Sequence, residues 1–353
     1  MAWAAADDDD EDERIVGTCN FFCPPDELRE REKWNDFDPL ERAKPAELAV
    51  KKYKRNIEAS DRAPERLRTP QCLLACVDYL VSLLDQDHLD LEHVHNFLWD
   101  RLRSVRTDLS IQRLLGCPES IAIHEKAVRF YIVSSYELCE HKCTVDNPHG
   151  FDAYLNREQM TKTLSTLLSI YQGLGDEARL TANEAEFRSY DLLMSHDACK
   201  LMNMRKSLLK SKEVQFALKV IACIKQRNYS RFFKLWKQAT YLQGCLIHSH
   251  AAQMRLASLR LILNTSIFGS GRVYPLGALC KTIHLDREHI QECIKTVKAG
   301  ALTEDGRSVL TNSKIELKME SRLESEGLME RTANRTDAQA LSKVIHKGVL
   351  LNC

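Results

Sequence analysis

The sequence predicts an all-α protein in which a solenoid of helical hairpins precedes a smaller C-terminal domain. Its 353 residues include only 13 Gly and 9 Pro, roughly half the average share, whereas sandwiches and barrels need many Gly- and Pro-rich turns. No Pro occurs from residue 149 to residue 274. A proline-free stretch of this length is typical of consecutive helices.

Helical periodicity starts after an acidic tail, residues 1–16, which is predicted to be disordered because it has little to bury. A first helix is expected near Asp26, and Pro45 is expected to open a helical segment that extends to Ala59. Thr69-Pro70 opens a helix with an apolar stripe. The pattern then predicts helices at 95–109, 118–143, 155–172, 181–195, 196–210, 212–226 and 228–238. Short connections between them indicate antiparallel pairs, so residues 17–247 are assigned to a TPR-like solenoid.

The pattern changes in residues 248–315. Helices are predicted at 252–263, 276–283 and 287–298, the last with Asp286 as its N-cap. Two short β-prone flanks then surround Asp305-Gly306, a strong signal for a β-hairpin. Three helices followed by a hairpin are typical of a winged helix. Residues 316–353 are predicted to form a charged helical tail.

The charges are balanced in total but separated along the chain. There are 50 basic and 50 acidic residues, yet residues 200–248 contain eleven Lys or Arg and the single acid Glu213. The N-terminus instead carries the acidic run Asp7–Glu13. A basic back half favours a polyanion or an acidic protein as a partner.

No catalytic motif is complete, so the sequence predicts a protein that is not an enzyme and has no cofactor. His124-Glu125 lacks the second histidine of a zinc-protease motif, and no glycine-rich phosphate loop occurs. Pairs of cysteines four residues apart raise the question of a metal site, and the best candidate is Cys139 and Cys143 with His141 and His149. Buried helix cysteines are the more common reason for such spacing, so no metal site is predicted. No stretch is long and apolar enough to predict membrane insertion.

Two polar clusters are interpreted as structural. In the first, Asp100 is expected to reach Arg103 and Ser104 at helical spacing. A charged network that fastens adjacent helices explains this cluster better than catalysis, because arginine is neither a base nor a nucleophile. The second cluster places Glu186 and Arg188 beside aromatic residues, as at a helix-packing seam. The residues assigned to these structural motifs are Asp100, Arg101, Arg103, Arg106, Asp108, Glu186 and Arg188.

Ordered motifs across residues 17–310 resemble the Sac-three/GANP family, and in particular its short members. The matching segments are Gly17-Thr18-Cys19 with Cys23-Pro24 and Arg29-Glu30, Ala49-Val50-Lys51-x-Tyr53, Val77-Asp78-Tyr79-Leu80, the run from Phe97 to Asp108, Gln112, Arg129-Phe130, and Asn183 to Tyr190. The resemblance implies a helical-repeat region followed by a PCI-type winged helix, in agreement with the pattern above.

The resemblance also implies a function and partners. It implies a scaffold of TREX-two, the complex that couples transcription to mRNA export, located in the nucleus at the nuclear pore and envelope. The expected partners are a PCI-domain protein, which pairs through the winged helix, weakly bound RNA or single-stranded nucleic acid, and a small acidic subunit. The alternative is a scaffold of the cytoplasm and centrosome that acts in centrosome duplication and mitotic progression.

Nucleic-acid contacts are predicted from bases outside the core. In the segment 228–237 the aromatic residues share one helical face and are assigned to the core, which leaves Arg231, Lys234 and Lys237 for phosphate. On the helix at 287–298, Ile290, Cys293, Ile294 and Val297 form the buried stripe. The opposite face carries Glu288 and Glu292, whose carboxylates would repel DNA phosphates. This helix is therefore not predicted to enter a DNA groove. Non-specific contacts are instead predicted from Arg272, Lys281, Lys295, Lys298 and Arg307.

Overall fold

A computed structural model describes most of the chain between residues 15 and 347. The described ranges are 15–86, 88–141, 143, 147, 150–175, 182–263, 273–285, 287–297, 300–302, 308–311 and 341–347. The chain divides into two compact units. The first comprises Met1–Phe130 and Cys143–Thr181, and the second comprises Tyr131–Lys142 and Ala182–Cys353. Within the described ranges, no helix is both long and apolar enough to cross a bilayer.

The all-α prediction is confirmed, since short strands occur only near the C-terminus of the described residues. The helices, in chain order, are α1 Pro25–Trp34, α2 Pro45–Leu48, α3 Pro70–Ser82, α4 Leu91–Ile111, α5 Pro118–Glu137, α6 Ala153–Leu174, α7 Glu184–Ser195, α8 Lys206–Leu209, α9 Lys212–Lys225, α10 Tyr229–Gln238, α11 Tyr241–His248, α12 Ala251–Leu263, α13 Leu276–Ile283, α14 Arg287–Val297 and α15 Leu341–Lys347. The strands are β1 Val273–Pro275, β2 Gly300–Leu302 and β3 Ser308–Thr311.

Side-chain caps explain where several helices begin. The hydroxyl of Thr69 accepts a hydrogen bond from the Cys72 amide at the start of α3, as the Thr-Pro pair predicts. Asp90 caps α4 through the His93 amide, and Asp152 caps α6 through the Leu155 amide. At α11 Thr240 and Gln243 form a reciprocal capping box. The sequence pattern had not predicted this helix.

The predicted helix from Pro45 to Ala59 is wrong beyond Leu48. After α2 the chain is extended, because its amides find acceptors elsewhere in the first unit. The Val50 amide donates to Glu41 Oε1 at 2.8 Å, and the Lys52 amide donates to Glu27 Oε1 at 2.8 Å. These acceptors replace the helical carbonyls, so tertiary contacts override the local helical preference.

Two other predicted helices are also shorter in the structure. Helix α5 ends at Glu137, and the chain then turns, with the His141 amide bonded to the Leu138 carbonyl at 3.0 Å. The predicted helix 196–210 is interrupted. His196 takes a left-handed conformation at the end of α7, and Asp197 caps a 3-10 helix, Ala198–Asn203, which precedes the short α8.

The C-terminal part of the second unit has the order of elements expected of a winged helix. Helix α12 is followed by β1, α13, α14, β2 and β3, and the three strands form an antiparallel sheet in the order β1-β3-β2. The predicted hairpin strands pair from Gly300 with Thr311 to Leu302 with Val309. Strand β1, which pairs with β3, was not predicted because three residues ending in proline carry little strand signal.

Some predictions lie outside the described residues. These are the tail 1–14, the N-cap at Asp286, the hairpin turn 303–307 and most of the tail 316–353. The domain boundaries at 16, 247 and 315 stay predictions.

Candidate functional site

Helix α10 is built with one aromatic face and one basic face. Asn228 Oδ1 caps it by accepting from the Arg231 amide at 3.1 Å. Phe232, Phe233 and Trp236 are 0%, 1% and 3% exposed, and the Phe233 and Trp236 rings stack with centroids 6.1 Å apart. The assignment of these aromatics to the core is confirmed, so they are not available to stack on bases.

The bases of α10 lie on the solvent side. Arg231, Lys234 and Lys237 are exposed, and their spacing of three residues places them along one face of the helix. Among the described residues, neither Arg231 nor Lys234 has an ion-pair partner. Helix α10 packs against α9 and α13. Further exposed bases lie on these two neighbours, namely Lys212, Lys219 and Lys225 on α9 and Lys281 on α13.

The basic face of α10 reaches helix α13 near His284. This histidine follows α13, and its pKa is lowered by burial and by the nearby positive charges of Lys237 and Arg255. The ring of Phe233 on α10 lies with its centroid 5.5 Å from that of His284, so α10 packs beside the end of α13. We name the set Arg231, Lys234, Lys237 and Lys281 the basic surface.

Arg255, on α12, lies beneath the basic surface and joins α12 to the end of α13. Its side chain is 0% exposed, and Nη2 donates to the His284 carbonyl at 2.9 Å. Its guanidinium lies 5.8 Å from the ring centroids of both Phe233 and Trp236. The cation therefore sits at the C-terminal end of α13, where the helix dipole favours positive charge.

The other predicted bases are only partly described. Lys281 is exposed on α13. Lys295 belongs to α14, but its side chain lies outside the described residues, as do Arg272, Lys298 and Arg307 entirely. On α14, Ile290 and Ile294 are 0% and 1% exposed and Glu288 is exposed, as predicted for these three residues. The side chains of Cys293, Val297 and Glu292 lie outside the described residues.

In the first unit, Asp108 is the centre of a buried charge network. Its Oδ1 lies 2.8 Å from Lys51 Nζ, and its Oδ2 lies 2.8 Å from Arg68 Nε. Arg68 also donates to Ser104 Oγ at 2.8 Å. Helix α4 thereby holds the extended segments that contain Lys51 and Arg68, which supports the structural interpretation of this cluster.

A second carboxylate, Glu41, completes the network. It is 0% exposed and contacts both Arg31 and Arg101, with Arg101 Nη2 3.3 Å from each Glu41 oxygen. Arg31 also donates to the Val50 carbonyl at 3.1 Å. A buried carboxylate between two guanidiniums keeps its charge compensated.

The expected contacts of Asp100 with Arg103 and Ser104 are wrong. Asp100 instead pairs with Arg101 and accepts from the Tyr53 amide at 3.3 Å. The Arg103 guanidinium lies over two rings, with its carbon 3.6 Å from the Tyr53 centroid and 4.4 Å from the Trp99 centroid. Local helical spacing could not show that Tyr53, from a distant extended segment, competes for both groups.

The remaining motif residues also make structural contacts. Arg106 Nη1 donates to Gln159 Oε1 at 3.2 Å, which joins α4 to α6. Glu186 is buried and accepts from the Tyr190 hydroxyl at 2.8 Å. Arg188 Nε donates at 3.1 Å to Glu184, whose other oxygen contacts Arg205. Helix α7 packs against α9, as expected of a packing seam.

Six cysteines of the described residues are buried, namely Cys19, Cys23, Cys72, Cys76, Cys223 and Cys245. Because α5 ends at Glu137, Cys139 and Cys143 do not share a helix face, and His149 lies outside the described residues. Burial raises the pKa of Cys76 to about 12 and that of Cys72 to about 11, which disfavours the thiolate that metals and oxidants need. The described residues contain no cluster of three or more metal-ligating side chains.

Sequence reasoning from the segment 97–108 missed the partners of its charges. Lys51, Arg68, Glu41 and Arg31 come from elsewhere in the chain. For Arg68 the sequence offers one indication, its position directly before Thr69-Pro70, the pair that opens α3. In the structure the Arg68 amide lies 3.4 Å from Asp108 Oδ2 on α4. One segment of sequence carries no other information on which distant cation meets Asp108.

Comparisons with known proteins agree on one family. A sequence model described as the SAC3/GANP family matches residues 22–302. The chain is 32% identical over 300 residues to SAC3 family protein B of Arabidopsis thaliana, and the aligned region covers 80% of this chain and 17% of that protein. It is 30% identical over 307 residues to SAC3 family protein 1 of Schizosaccharomyces pombe, and the aligned region covers 78% of this chain and 29% of that protein. Protein xmas of Drosophila melanogaster is 27% identical over 266 residues, which cover 70% of this chain and 12% of that protein.

The chain thus spans less than a third of the length of these relatives. The family match begins at residue 22, just before α1, and ends at residue 302, the last residue of β2, so it covers most of the described fold. The chain belongs to the SAC3/GANP family, a family of scaffold proteins.

Proposed function

We propose that this protein is a non-enzymatic scaffold subunit of a TREX-two-like complex that couples transcription to mRNA export. In that complex it binds RNA weakly, and the site is shared with a PCI-domain partner. The observation that carries the proposal is the basic surface on α10 and α13, whose aromatic residues are buried while its bases are exposed. Family membership supports the scaffold role.

The composition of the basic surface supports binding of phosphates without sequence preference. Exposed Arg and Lys neutralise phosphates and release counterions, and this gain does not depend on the base. The aromatic residues that would supply base stacking lie in the core. We therefore expect weak, salt-sensitive RNA binding rather than recognition of a sequence.

The proposed partner surface is the winged-helix region. We propose that a PCI-domain protein pairs with residues 248–315 and extends the basic surface. Deleting residues 250–315 should abolish the complex while the helical region keeps its circular dichroism. A complex that survives the deletion would place the partner elsewhere.

We propose that the complex acts in the nucleus at the nuclear pore and envelope, and a tagged chain should label the nuclear rim.

The proposed RNA contact is tested by reversing its charges. The variant Arg231→Glu, Lys234→Glu, Lys237→Glu should weaken RNA binding by the assembled pair at least tenfold, an estimate of about 1 kcal/mol or less for each lost phosphate contact with added repulsion. The slope of log affinity against log salt should fall by about 2, because each single-strand contact contributes about 0.7. Filter binding across a salt series measures both quantities.

A matched control reverses three exposed lysines of the first unit, Lys33→Glu, Lys44→Glu and Lys162→Glu, and should leave RNA affinity within about twofold. A small acidic subunit is the competing occupant of the basic surface. If the triple variant of α10 keeps its RNA affinity and salt slope but loses an acidic subunit, the nucleic-acid role of this surface is wrong.

A further inference from the structure

His284 is a half-buried histidine at the edge of the basic surface. It ends α13 in a left-handed conformation, with a φ of 49°, and Arg255 holds its carbonyl through a 2.9 Å hydrogen bond. Its ring centroid lies 5.5 Å from that of Phe233 on α10. Lys237 follows Phe233 by one helical turn, so the two side chains are neighbours on α10. The imidazole is therefore positioned beside a base of the basic surface.

The charges that act on this imidazole are both positive. The elements packed against α13 carry these described titratable side chains: Tyr229, Arg231, Lys234 and Lys237 on α10, Arg255 on α12, Arg287, Glu288 and His289 on α14, and Tyr274 on β1, while α13 itself carries Cys280 and Lys281. Burial lowers the pKa of His284, and the charges of Lys237 and Arg255 lower it further. Among the described residues, no carboxylate offsets these two cations.

The ring nitrogens of His284 are not engaged by the described part of the chain, where no group forms a hydrogen bond with either of them. A neutral imidazole has one donor and one acceptor nitrogen, whereas the imidazolium has two donors. A phosphodiester oxygen only accepts hydrogen bonds, and it brings the negative charge that this position lacks. Phosphate bound here would therefore favour the protonated ring.

We propose that His284 binds a phosphate of RNA at the basic surface and takes up a proton from solvent when it does so. This inference rests on the function proposed above, and it adds a binding residue and a pH dependence to the RNA site. In the free protein Lys237 and Arg255 oppose the imidazolium, and in the complex the phosphate offsets their charge. RNA binding and protonation of His284 thus stabilise each other, and the coupling is reciprocal.

The dimensions of α10 suit a strand that is charged at every nucleotide. Arg231 and Lys237 are six residues apart, about 9 Å along the helix axis. A single-stranded RNA on the basic surface can contact Arg231, Lys234 and the His284 position together, because its charges repeat along the strand. RNA is therefore the occupant on which the proposal depends, and an acidic peptide is an outcome of the test.

Binding of labelled oligouridine to the full chain between pH 8.0 and pH 6.0 tests the proposal, since neither the uracil bases nor the phosphodiesters titrate in this range. Affinity should rise at least about threefold as the pH falls, because the pKa of His284 is higher in the complex than in the free protein. At pH 8.0 the ring is neutral in both states and the gain is absent. Calorimetry in two buffers of different ionisation enthalpy should show that a fraction of a proton is taken up for each RNA bound near pH 6.5.

Two variants assign the proton to His284. His284→Asn, whose side chain also tolerates the left-handed conformation, should abolish the proton uptake and the rise in affinity at pH 6.0. His284→Lys carries a permanent charge, so it should bind oligouridine at pH 8.0 at least about threefold more tightly than the native chain. A purely structural role of His284 would not produce this gain. The matched control His88→Asn changes an exposed histidine of the first unit and should keep the pH dependence.

The proposal is overturned if the native chain binds oligouridine equally well at pH 8.0 and pH 6.0, or if His284→Asn keeps the full pH dependence. Both results leave the proposed RNA site on α10 standing. It is also overturned if oligoglutamate, but not oligouridine, binds more tightly at pH 6.0, because the position then takes carboxylates. A native chain that binds no oligouridine at either pH overturns the proposed function and this inference together.

Discussion

Arg68 and Asp108 form an ion pair that is buried on both sides, with Nε and Oδ2 separated by 2.8 Å and side chains 0% and 1% exposed. Forty residues separate the pair in the sequence. The pair joins the start of α3 to α4, and Lys51 meets the other oxygen of the same carboxylate. A charge placed here is stable only while its partners remain.

Removing that carboxylate should be costly. Asp108→Asn keeps the shape of the side chain but leaves Lys51 and Arg68 without a counter-charge, so we expect the free energy of unfolding to fall by about 3–5 kcal/mol. Urea denaturation at pH 7 measures the change. The control is Glu158→Gln, which breaks an exposed pair with Lys162 on α6 and should cost less than about 0.5 kcal/mol. Equal effects from the two variants would contradict the structural role of Asp108.

Arg103 should contribute to stability through its rings rather than through an ion pair. Because the guanidinium lies over Tyr53 and Trp99, Arg103→Ala should lower the free energy of unfolding by about 1–2 kcal/mol. Arg103→Lys should retain part of this, since an ammonium keeps the charge but not the stacking. Thermal unfolding at low and at 1 M salt distinguishes the two contributions. A loss above about 3 kcal/mol would indicate a buried carboxylate partner instead.

Gly17 should not tolerate a methyl group. A Cβ at this position would lie 2.5 Å from the Leu67 carbonyl oxygen and 2.7 Å from Gln112 Oε1, so the two chain segments would have to separate. We expect Gly17→Ala to cost about 1–3 kcal/mol, as for other overpacked sites. Gly116→Ala is the matched control, because nothing lies within 4 Å of its Cβ. Calorimetry of both variants should show a lowered Tm for Gly17→Ala alone.

Acid should destabilise the first unit through two buried histidines. Burial lowers the pKa of His95 and of His124 to about 4, from 6.5. Because the pKa is depressed in the folded state, the unfolded state binds protons first as the pH falls. The stability is therefore fully present above pH 6.5 and is lost as the pH falls towards 4, by about 2 kcal/mol per histidine at pH 5.

The variant His95→Phe tests this dependence. His95 packs against Phe130 and Phe151, with centroids at 5.4 and 5.0 Å, so an aromatic replacement fits the site. Between pH 8 and pH 5 the variant should lose less stability than the native chain, by about 2 kcal/mol. Parallel stability curves for the two proteins would mean that His95 does not titrate on unfolding.

Local signals predicted the elements that local contacts determine. Thr69-Pro70 fixes the start of α3 through a cap within three residues, and α13 has the predicted bounds. The aromatic face of α10 follows from helical spacing alone, because its burial needs only some apolar neighbour. The Asp-Gly pair likewise predicted the two hairpin strands.

Distant contacts account for the failures. The segment after Leu48 reads as helix, yet its Val50 and Lys52 amides bond to carboxylates of the first unit. Arg103 was expected to pair with Asp100, three residues before it on the same helix. Instead, the Tyr53 ring lies against the Arg103 guanidinium and the Tyr53 amide donates to Asp100. A single sequence does not show which distant residue contacts each buried charge, so the partners in this network are known only from the structure.

The hydrogen bond between Gly17 and Gln112 has a consequence for synthesis on the ribosome. The first described segment of the chain leaves the ribosome long before its acceptor, since the two residues are 95 positions apart. At about 5–20 residues per second this delay is on the order of 5–20 s. During that interval Gly17, Lys51 and Tyr53 have no finished α4 to contact. The N-terminal segments can therefore complete their packing only after α4 has itself been synthesised.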